Sequence, residues 1–281
     1  MKLAAIAGLV ALACVATVAA GCGGDSAARA AVEETSANLG RIRSGELDAR
    51  LIIEPRGGAQ DGTAGFEVEG PFGLPSRPGL PTARVAYTQI AGDNEATTTV
   101  LATGREAFVE VEGTPYRLPP SEAERLELGG DVRAATGGEL SVERWLREPR
   151  LADGPNVDGA PTDRVTGELD VARAANDLLG LADRAGAEAA GIEPLRGARA
   201  EELEESVRSG RVEMLTGAED RLLRRLSVDL ELDAPRSENK SLPALDSVRI
   251  DFTLALSRPN EPVRVSAPPD ARPFAELETG G

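Results

Sequence analysis

The sequence offers few side chains that could carry out covalent or acid–base chemistry. It contains no histidine and two cysteines, Cys14 and Cys22. Without histidine, Ser-His-Asp and Cys-His catalysis cannot be assembled and the commonest metal ligand is absent. Lys240 lies in the polar stretch RSENKS, where a solvated ammonium is expected rather than a catalytic amine. We therefore expect no catalytic residue, no metal and no cofactor, in a protein that is not an enzyme.

Carboxylate pairs are the remaining catalytic option, because a glycoside hydrolase needs only two of them. Such a site also needs an aromatic platform for the sugar, and Trp145, Tyr87 and Tyr116 are scattered along the chain. The acidic run EELEE, residues 201–205, is typical of the solvated face of a helix. A carboxylate-dependent hydrolase is therefore a distant third hypothesis.

Cys22 ends an apolar run and precedes the polar residues Gly23 to Ser26. The run from Leu3 to Ala20 follows a single positive charge, Lys2, as in a secretory signal. Its length also allows an uncleaved membrane anchor, but the run is rich in alanine and no positively charged stop-transfer cluster follows it. An ordinary secreted protein is the other alternative.

The segment AAGC, which ends at Cys22, resembles a bacterial lipobox, although Ala19 stands where leucine is more usual. The resemblance implies that residues 1–21 are a lipoprotein signal peptide and are removed together with Cys14. It also implies that Cys22 is the lipidation site, carrying diacylglycerol and palmitate. The mature protein would then be a lipoprotein attached to the extracytoplasmic face of the cell membrane.

The charge and apolar content limit what the anchor carries. Aspartate and glutamate number 47 against 31 lysines and arginines, which gives a net charge of −16. An acidic chain is a poor partner for nucleic acid, so we expect none. With 41% hydrophobic residues the chain can form a real core. We expect residues 22–281 to form one α+β domain, with a short tether of about five residues from Cys22 and a flexible tail at the C-terminus.

Alternation of apolar and polar residues predicts many strands. The pattern is clearest in RRLSVDLELDA, with Val228 and Leu230 on one side, and in VRIDFTLALS, with Ile250 and Phe252 on one side. An edge strand is predicted over NEPVRVSAPPD, residues 260–270. Shorter strands in the first half are predicted over the segments ELDARLIIEP, GFEVEG, ARVAYTQIA, ATTTVLATG, EAFVEVEG and TPYRLP.

Helical spacing occurs in four places. Residues 27–42 carry one apolar stripe, and Asp170 is a candidate N-cap for the segment from Val171 to Ala189, which contains Leu178 and Leu179. A short helix is predicted over Ser141–Pro149 and a charged outer helix over Pro194–Ser209. The fold predicted is a strongly curved antiparallel half-barrel with helices packed on its concave face.

Several motifs carry a family resemblance. EAFVEVEGTPYRLP, WLREPR, VDGAPTDRVTGELDV and LALSRPNEPVRVSAPPDARPF occur in this order behind the lipobox. Together they resemble the LppX/LprAFG family of actinobacterial lipoproteins, which is related in shape to the LolA and LolB carriers. The resemblance implies a hydrophobic cavity between sheet and helices that holds acyl chains of lipids or lipoglycans. Two segments, residues 55–82 and 186–209, are additions that would narrow the cavity mouth or change its ligand.

The expected function is therefore that of a lipid-binding lipoprotein that carries or presents lipid at the cell envelope. Its partners would be the membrane, a lipid or lipoglycan, and an envelope transporter or acceptor protein. The alternative is an envelope scaffold or chaperone of the same fold, with a collapsed cavity and a protein partner. The predicted cavity lining comprises apolar strand and helix positions, namely Leu51, Ile53, Val109, Val111, Leu178, Leu179, Val228, Leu230, Ile250 and Phe252.

Overall fold

The computed structural model describes residues 23–57, 62–126, 142–184, 196–233 and 246–279. The signal segment 1–21, Cys22 and Lys240 lie outside the described residues, as do residues 186–195 and 58–61. The side chains of residues 23–25 and 178–184 are also outside the description, although their backbones are helical.

Twelve strands form one sheet. Their bounds are β1 Ser44–Arg56, β2 Ala64–Gly73, β3 Thr82–Ala91, β4 Asn94–Thr103, β5 Ala107–Val111, β6 Thr114–Arg117, β7 Leu146–Asp153, β8 Thr162–Leu169, β9 Val207–Gly217, β10 Leu223–Asp233, β11 Ser247–Ser257 and β12 Arg272–Pro273. The helices are α1 Gly23–Asn38, α2 Pro120–Ala123, α3 Val142–Trp145, α4 Val171–Arg184, α5 Ala198–Glu205 and α6 Ala275–Thr279, with short 3-10 turns at Leu39–Arg41 and Glu124–Leu126.

The strands follow the order β12-β6-β5-β4-β3-β2-β1-β11-β10-β9-β8-β7. Every pairing is antiparallel except that of β12 with β6, which is parallel. The sheet is open, with β12 and β7 at its two edges. A sheet of this many twisted strands has to curl, which confirms the predicted α+β class and curved antiparallel half-barrel. The hydrophobic cavity stays a prediction.

Helix α1 confirms the apolar stripe seen in the sequence, but it starts earlier than expected. Ala28, Ala31, Val32 and Thr35 are buried on one side, and the outward residues are exposed. The helix packs against β7 and α3 and also touches β8, β9 and β10. Because it begins at Gly23, the expected tether of about five residues after Cys22 is wrong. The polar residues Gly23 to Ser26 form the first turn of the helix.

The main core lies between α1 and the strands β7 to β10. Val165 and Val212 are fully buried there, together with Met214 on β9 and Trp145 on α3. Val171 and Ala174 bring the first turns of α4 into the same cluster. Asp170 caps α4 as predicted, because its carboxylate accepts a hydrogen bond of 3.2 Å from the N–H of Arg173. The helices thus cover one end of the sheet's apolar face.

Three local predictions are wrong. Residues 141–149 are not one helix, because α3 ends at Trp145 and β7 follows at once. The helix predicted over residues 194–209 covers only Ala198–Glu205, and β9 starts at Val207. Residues 260–270 form an irregular segment rather than an edge strand. In the first two cases the backbone takes the hydrogen bonds that neighbouring strands offer, and local propensity is overridden.

Within the described ranges, none of the helices has both the length and the apolarity needed to cross a membrane.

Candidate functional site

One face of the sheet carries the apolar residues of the central strands, and we call it the inner face. Leu51 on β1 lies opposite Phe252 on β11, and Phe252 lies opposite Val228 on β10. A second row, two residues further along each strand, is formed by Ile53, Ile250 and Leu230. Directly opposed residues of antiparallel strands point to the same side of a sheet. The structure therefore brings six of the predicted lining residues together on three neighbouring strands.

Val109 and Val111 share the inner face but lie farther away. Val109 on β5 pairs with Val100 on β4, which pairs with Val85 on β3, so the row continues toward β2 and β1. Strand β5 is separated from β1 by four steps, which is about 19 Å at the usual strand spacing. The two valines therefore belong to the same face but not to the cluster formed by the other six. Their role as lining residues stays a prediction.

Sequence reasoning missed an aromatic pair on the same face. Phe66 on β2 lies opposite Leu51, and its ring stacks on that of Tyr87 with centroids 6.1 Å apart and an interplanar angle of 26°. Tyr87 is 43% exposed, which is high for a large apolar side chain. The signal was available, because GFEVEG alternates Phe66 and Val68 with glutamates. The sequence analysis predicts a strand over GFEVEG but does not include Phe66 among the lining residues.

The inner face changes from closely packed to half-buried across the sheet. Val212 on β9 is fully buried, but Val228, its direct partner on β10, is only half-buried. Ile250, Phe252 and Leu51 on the next strands are also half-buried. The change follows the position of α1, which packs over β7 to β10. An apolar surface thus extends from the edge of the core toward β2 and β3.

Helix α4 is the predicted cover for this surface. Its backbone is helical from Val171 to Arg184, and its side chains are described as far as Asp177. Asp177 accepts a hydrogen bond of 2.8 Å from the indole N–H of Trp145, which ties α4 to α3. Leu178 and Leu179 follow immediately, but their side chains lie outside the described residues. Whether they line a cavity stays a prediction.

Charged groups lie at the termini of the helices and on the opposite side of the sheet, which we call the outer face. Arg249 binds Asp251 at 2.9 Å and Asp229 at 3.1 Å, and the hydrogen bond to Asp251 is the main cause that raises the pKa of Arg249. These side chains are about a third to a half exposed to solvent, so the network contributes little to stability. This part of the outer face, around Arg249, is therefore a solvated surface.

Arg147 joins β7 to two helices. Its guanidinium lies 2.6 Å from Glu204 on α5 and 3.2 Å from Asp170, the cap of α4. The hydrogen bond to Glu204 raises the pKa of Arg147 most, burial is the next largest cause and lowers it, and the hydrogen bond to Asp170 adds to the rise. Arg147 therefore holds the starts of β7 and α4 and the end of α5 in fixed relation.

A hollow of about 650 Å³ adjoins Arg147 at this end of the sheet. Its wall combines apolar Leu169, Val171 and Val207 with charged Arg150 and Arg211. Its wall also includes Glu148, Glu168 and Asp229, so it carries charges of both signs. Within the described ranges no group of three or more potential ligands is placed to hold a metal ion.

Comparison with solved structures finds several chains that are similar over most of their length. The chain is similar to LprF from Mycobacterium bovis, at 14% identity over 87% of this chain and 98% of that one, with a TM-score of 0.43. It is similar to the lipoprotein LppX from Mycobacterium tuberculosis, at 12% identity over 86% of this chain and 100% of that one, with a TM-score of 0.38. No family model and no curated protein sequence matches.

A LolA superfamily protein from Nitrosomonas europaea is also similar, at 9% identity over 84% of this chain and 94% of that one, with a TM-score of 0.21. LprF and LppX carry the names of the family that the sequence motifs resemble. The fold class itself rests on the strand order and on the packing of α1 described above.

Proposed function

We propose that the protein is a membrane-anchored lipoprotein that binds acyl chains of lipids or lipoglycans on its inner face. It carries or presents them at the extracytoplasmic side of the cell membrane. Cys22 carries the anchor, and an envelope transporter or acceptor protein takes up the lipid. The protein is a carrier and not an enzyme.

One observation carries the proposal: the rows Leu51–Phe252–Val228 and Ile53–Ile250–Leu230 form a continuous apolar surface that runs on to Phe66 and Tyr87. Most of these side chains are only half-buried, so they retain apolar area to offer a ligand. Each methylene that leaves water contributes about 0.8 kcal/mol, so a long acyl chain can be held without a specific polar contact. Specificity then depends on head-group contacts outside this surface.

Native mass spectrometry of a soluble form that starts after Cys22 tests the proposal. The protein is incubated with an envelope lipid extract, separated from free lipid and sprayed under non-denaturing conditions. We expect added mass that is released as intact lipid on collisional activation. The matched control is Val228→Trp, whose larger side chain occupies the centre of the apolar surface and should abolish the added mass. If neither form binds lipid from the extract, a scaffold that binds a protein partner is the better account.

A further inference from the structure

The residue that is proposed to carry the anchor directly precedes the first helix in the sequence. Helix α1 starts at Gly23, the residue that follows Cys22 in the sequence. An acyl group on Cys22 is therefore attached almost directly to the first turn of a helix. The position of the bilayer relative to the domain then depends on how α1 is held.

The C-terminal half of α1 is fixed to the turn between β9 and β10. The hydroxyl of Thr35 shares a buried hydrogen bond of 2.7 Å with that of Thr216 on β9. Glu34 lies 3.2 Å from Arg221 in the turn, and Arg221 also pairs with Asp163 on β8. The amide of Asn38 donates to the carbonyl of Arg221 at 3.4 Å. The helix is thus fastened by polar contacts as well as by its apolar stripe.

The N-terminal half of α1 points to the other end of the sheet, where α3, α4 and α5 lie. We call this the helix end, and we call the end with the β9–β10 turn the turn end. α1 contacts α3, which precedes β7 at the helix end, whereas Asn38 at the C-terminus of α1 reaches Arg221 in the β9–β10 turn. Sixteen residues of helix span about 24 Å, which is enough to run from the turn end to α3.

We infer that the helix end of the domain faces the bilayer and that the turn end faces away from it. The inference rests on the proposed acylation of Cys22 and adds a fixed orientation to it. The partner is the lipid surface to which the protein is anchored. The strands β1, β10 and β11 then run outward from the membrane, so the two apolar rows of the inner face lie one above the other along the path of an acyl chain leaving the bilayer.

Two matched cysteine variants test the orientation. Glu205 is exposed at the C-terminus of α5 and lies at the helix end. Glu261 is exposed and lies at the turn end, where its carbonyl accepts a hydrogen bond from the hydroxyl of Ser44. Because the sequence has cysteine only at positions 14 and 22, Glu205→Cys and Glu261→Cys each add one free thiol to the acylated mature protein. Each thiol is labelled with a fluorescent donor, and the full lipidated protein is bound to phosphatidylcholine vesicles that carry an acceptor on the head group.

We expect several-fold faster energy transfer from Glu205→Cys than from Glu261→Cys, because the strands separate the two ends by about 30 Å or more. Equal transfer from both positions, or faster transfer from Glu261→Cys, overturns the orientation. Failure of the lipidated protein to bind vesicles overturns it as well, since the anchor is then absent. Neither result bears on lipid uptake by the soluble form, which is measured separately.

An insertion separates a fixed orientation from a chance difference between labels. A flexible glycine and serine segment placed between Cys22 and Gly23 keeps the anchor but disconnects it from α1. We expect the insertion to remove the difference in transfer between the two labelled positions while vesicle binding is retained. If the difference survives the insertion, contacts other than α1 set the orientation and the inference is wrong.

Discussion

The hydroxyl of Thr35 on α1 and that of Thr216 on β9 share a hydrogen bond of 2.7 Å in the fully buried core. Thr35 also donates to the carbonyl of Ala31 at 2.7 Å, so the proton between the two threonines comes from Thr216. This pair is a polar contact between the first helix and the sheet at the centre of their interface.

Replacing Thr35 with valine should destabilise the protein. The change keeps the shape of the side chain but leaves the Thr216 hydroxyl with only its long contact of 3.4 Å to the carbonyl of Leu222. A buried polar group that loses its partner costs about 1–3 kcal/mol. Urea unfolding of Thr35→Val against the unmodified protein measures the loss.

Thr88→Val is the matched control for this substitution. Thr88 and Thr97 share a hydrogen bond of 2.8 Å on the exposed surface, so water replaces the lost partner. The control should change the free energy of unfolding by no more than about 0.5 kcal/mol. Equal losses for Thr35→Val and Thr88→Val would show that burial of the threonine pair has no effect.

Val228 and Val212 should respond differently to a large residue, although they are direct partners on the inner face. Val212 is fully buried, so Val212→Trp overpacks the core and should cost about 1–3 kcal/mol or more. Val228 is half-buried, so Val228→Trp should leave the thermal midpoint nearly unchanged and abolish lipid binding. Thermal unfolding and lipid binding are measured on both variants. If Val228→Trp unfolds the protein, Val228 belongs to the packed core and the inner face does not offer a ligand surface there.

Asp220 makes stability depend on pH in the acid range. Burial acts to raise the pKa of Asp220, but the hydrogen bonds that its carboxylate accepts from Arg224 and from the N–H of Leu222 outweigh burial, so the pKa lies below its ordinary value. A group whose pKa is lowered by folding stabilises the folded state above its unfolded pKa. That contribution is lost as the pH falls through the folded pKa.

Asp220→Asn should therefore destabilise the protein at neutral pH, where it leaves the buried guanidinium of Arg224 without its ion pair at 2.7 Å. The gap between variant and unmodified protein should narrow as the pH falls below about 4, because the unfolded state of the unmodified protein then binds a proton at Asp220 while the folded state still holds the carboxylate ionised. Unfolding by urea at neutral and acid pH measures this, with surface Asp229→Asn as the control. A gap that stays constant with pH would contradict the role assigned to the Asp220 carboxylate.

Cys22→Ser should release the protein from membranes. The lipobox resemblance makes Cys22 the acylated residue, and serine cannot form the thioether. Fractionation of cells that produce either form measures the membrane-bound share, and mass spectrometry reports whether residues 1–21 are removed. The lipobox interpretation is wrong if the variant remains bound and uncleaved to the same extent as the unmodified protein.

The sequence predicted the central strands well because their environment has two different sides. β10 and β11 face the apolar rows on one side and solvent on the other, so alternation records their register. Strand β9 was missed because Met214, Leu215 and Thr216 are buried in succession, which removes the alternation.

Strand β7 was mistaken for a helix because its start looks like a capped helical turn that a proline ends. In the structure Glu148 takes a left-handed φ of 47° and the pairing with β8 shifts register between Arg147 and Arg150. An irregular edge strand of this kind tolerates Pro149. For residues 260–270 the error is the reverse, since a strand was predicted where the structure has none. Val263 and Val265 alternate with polar residues, but a strand also needs a neighbouring strand whose backbone groups are free to pair with it.

From the sequence, only the apolar side of each separate strand could be predicted for the candidate site, and not which strands lie next to each other. Alternation places Leu51, Val228 and Phe252 on the apolar sides of their own strands, but the sequence does not say that β1 and β11 are neighbours. Their pairing joins residues from opposite ends of the chain, and no local pattern encodes it.

That pairing also bears on how the chain reaches its folded state. Strands β1 to β6 are neighbours in sequence order and can form from local hairpins, and β7 to β11 are neighbours as well, with α4 and α5 inserted between β8 and β9. The two groups meet only along β1 and β11, where Glu46 pairs with Ser257 and Arg56 with Ser247. Closing so long a loop is slow compared with hairpin formation. The first six strands can therefore pair during synthesis, while the apolar rows of the inner face are completed only after nearly the whole chain has emerged.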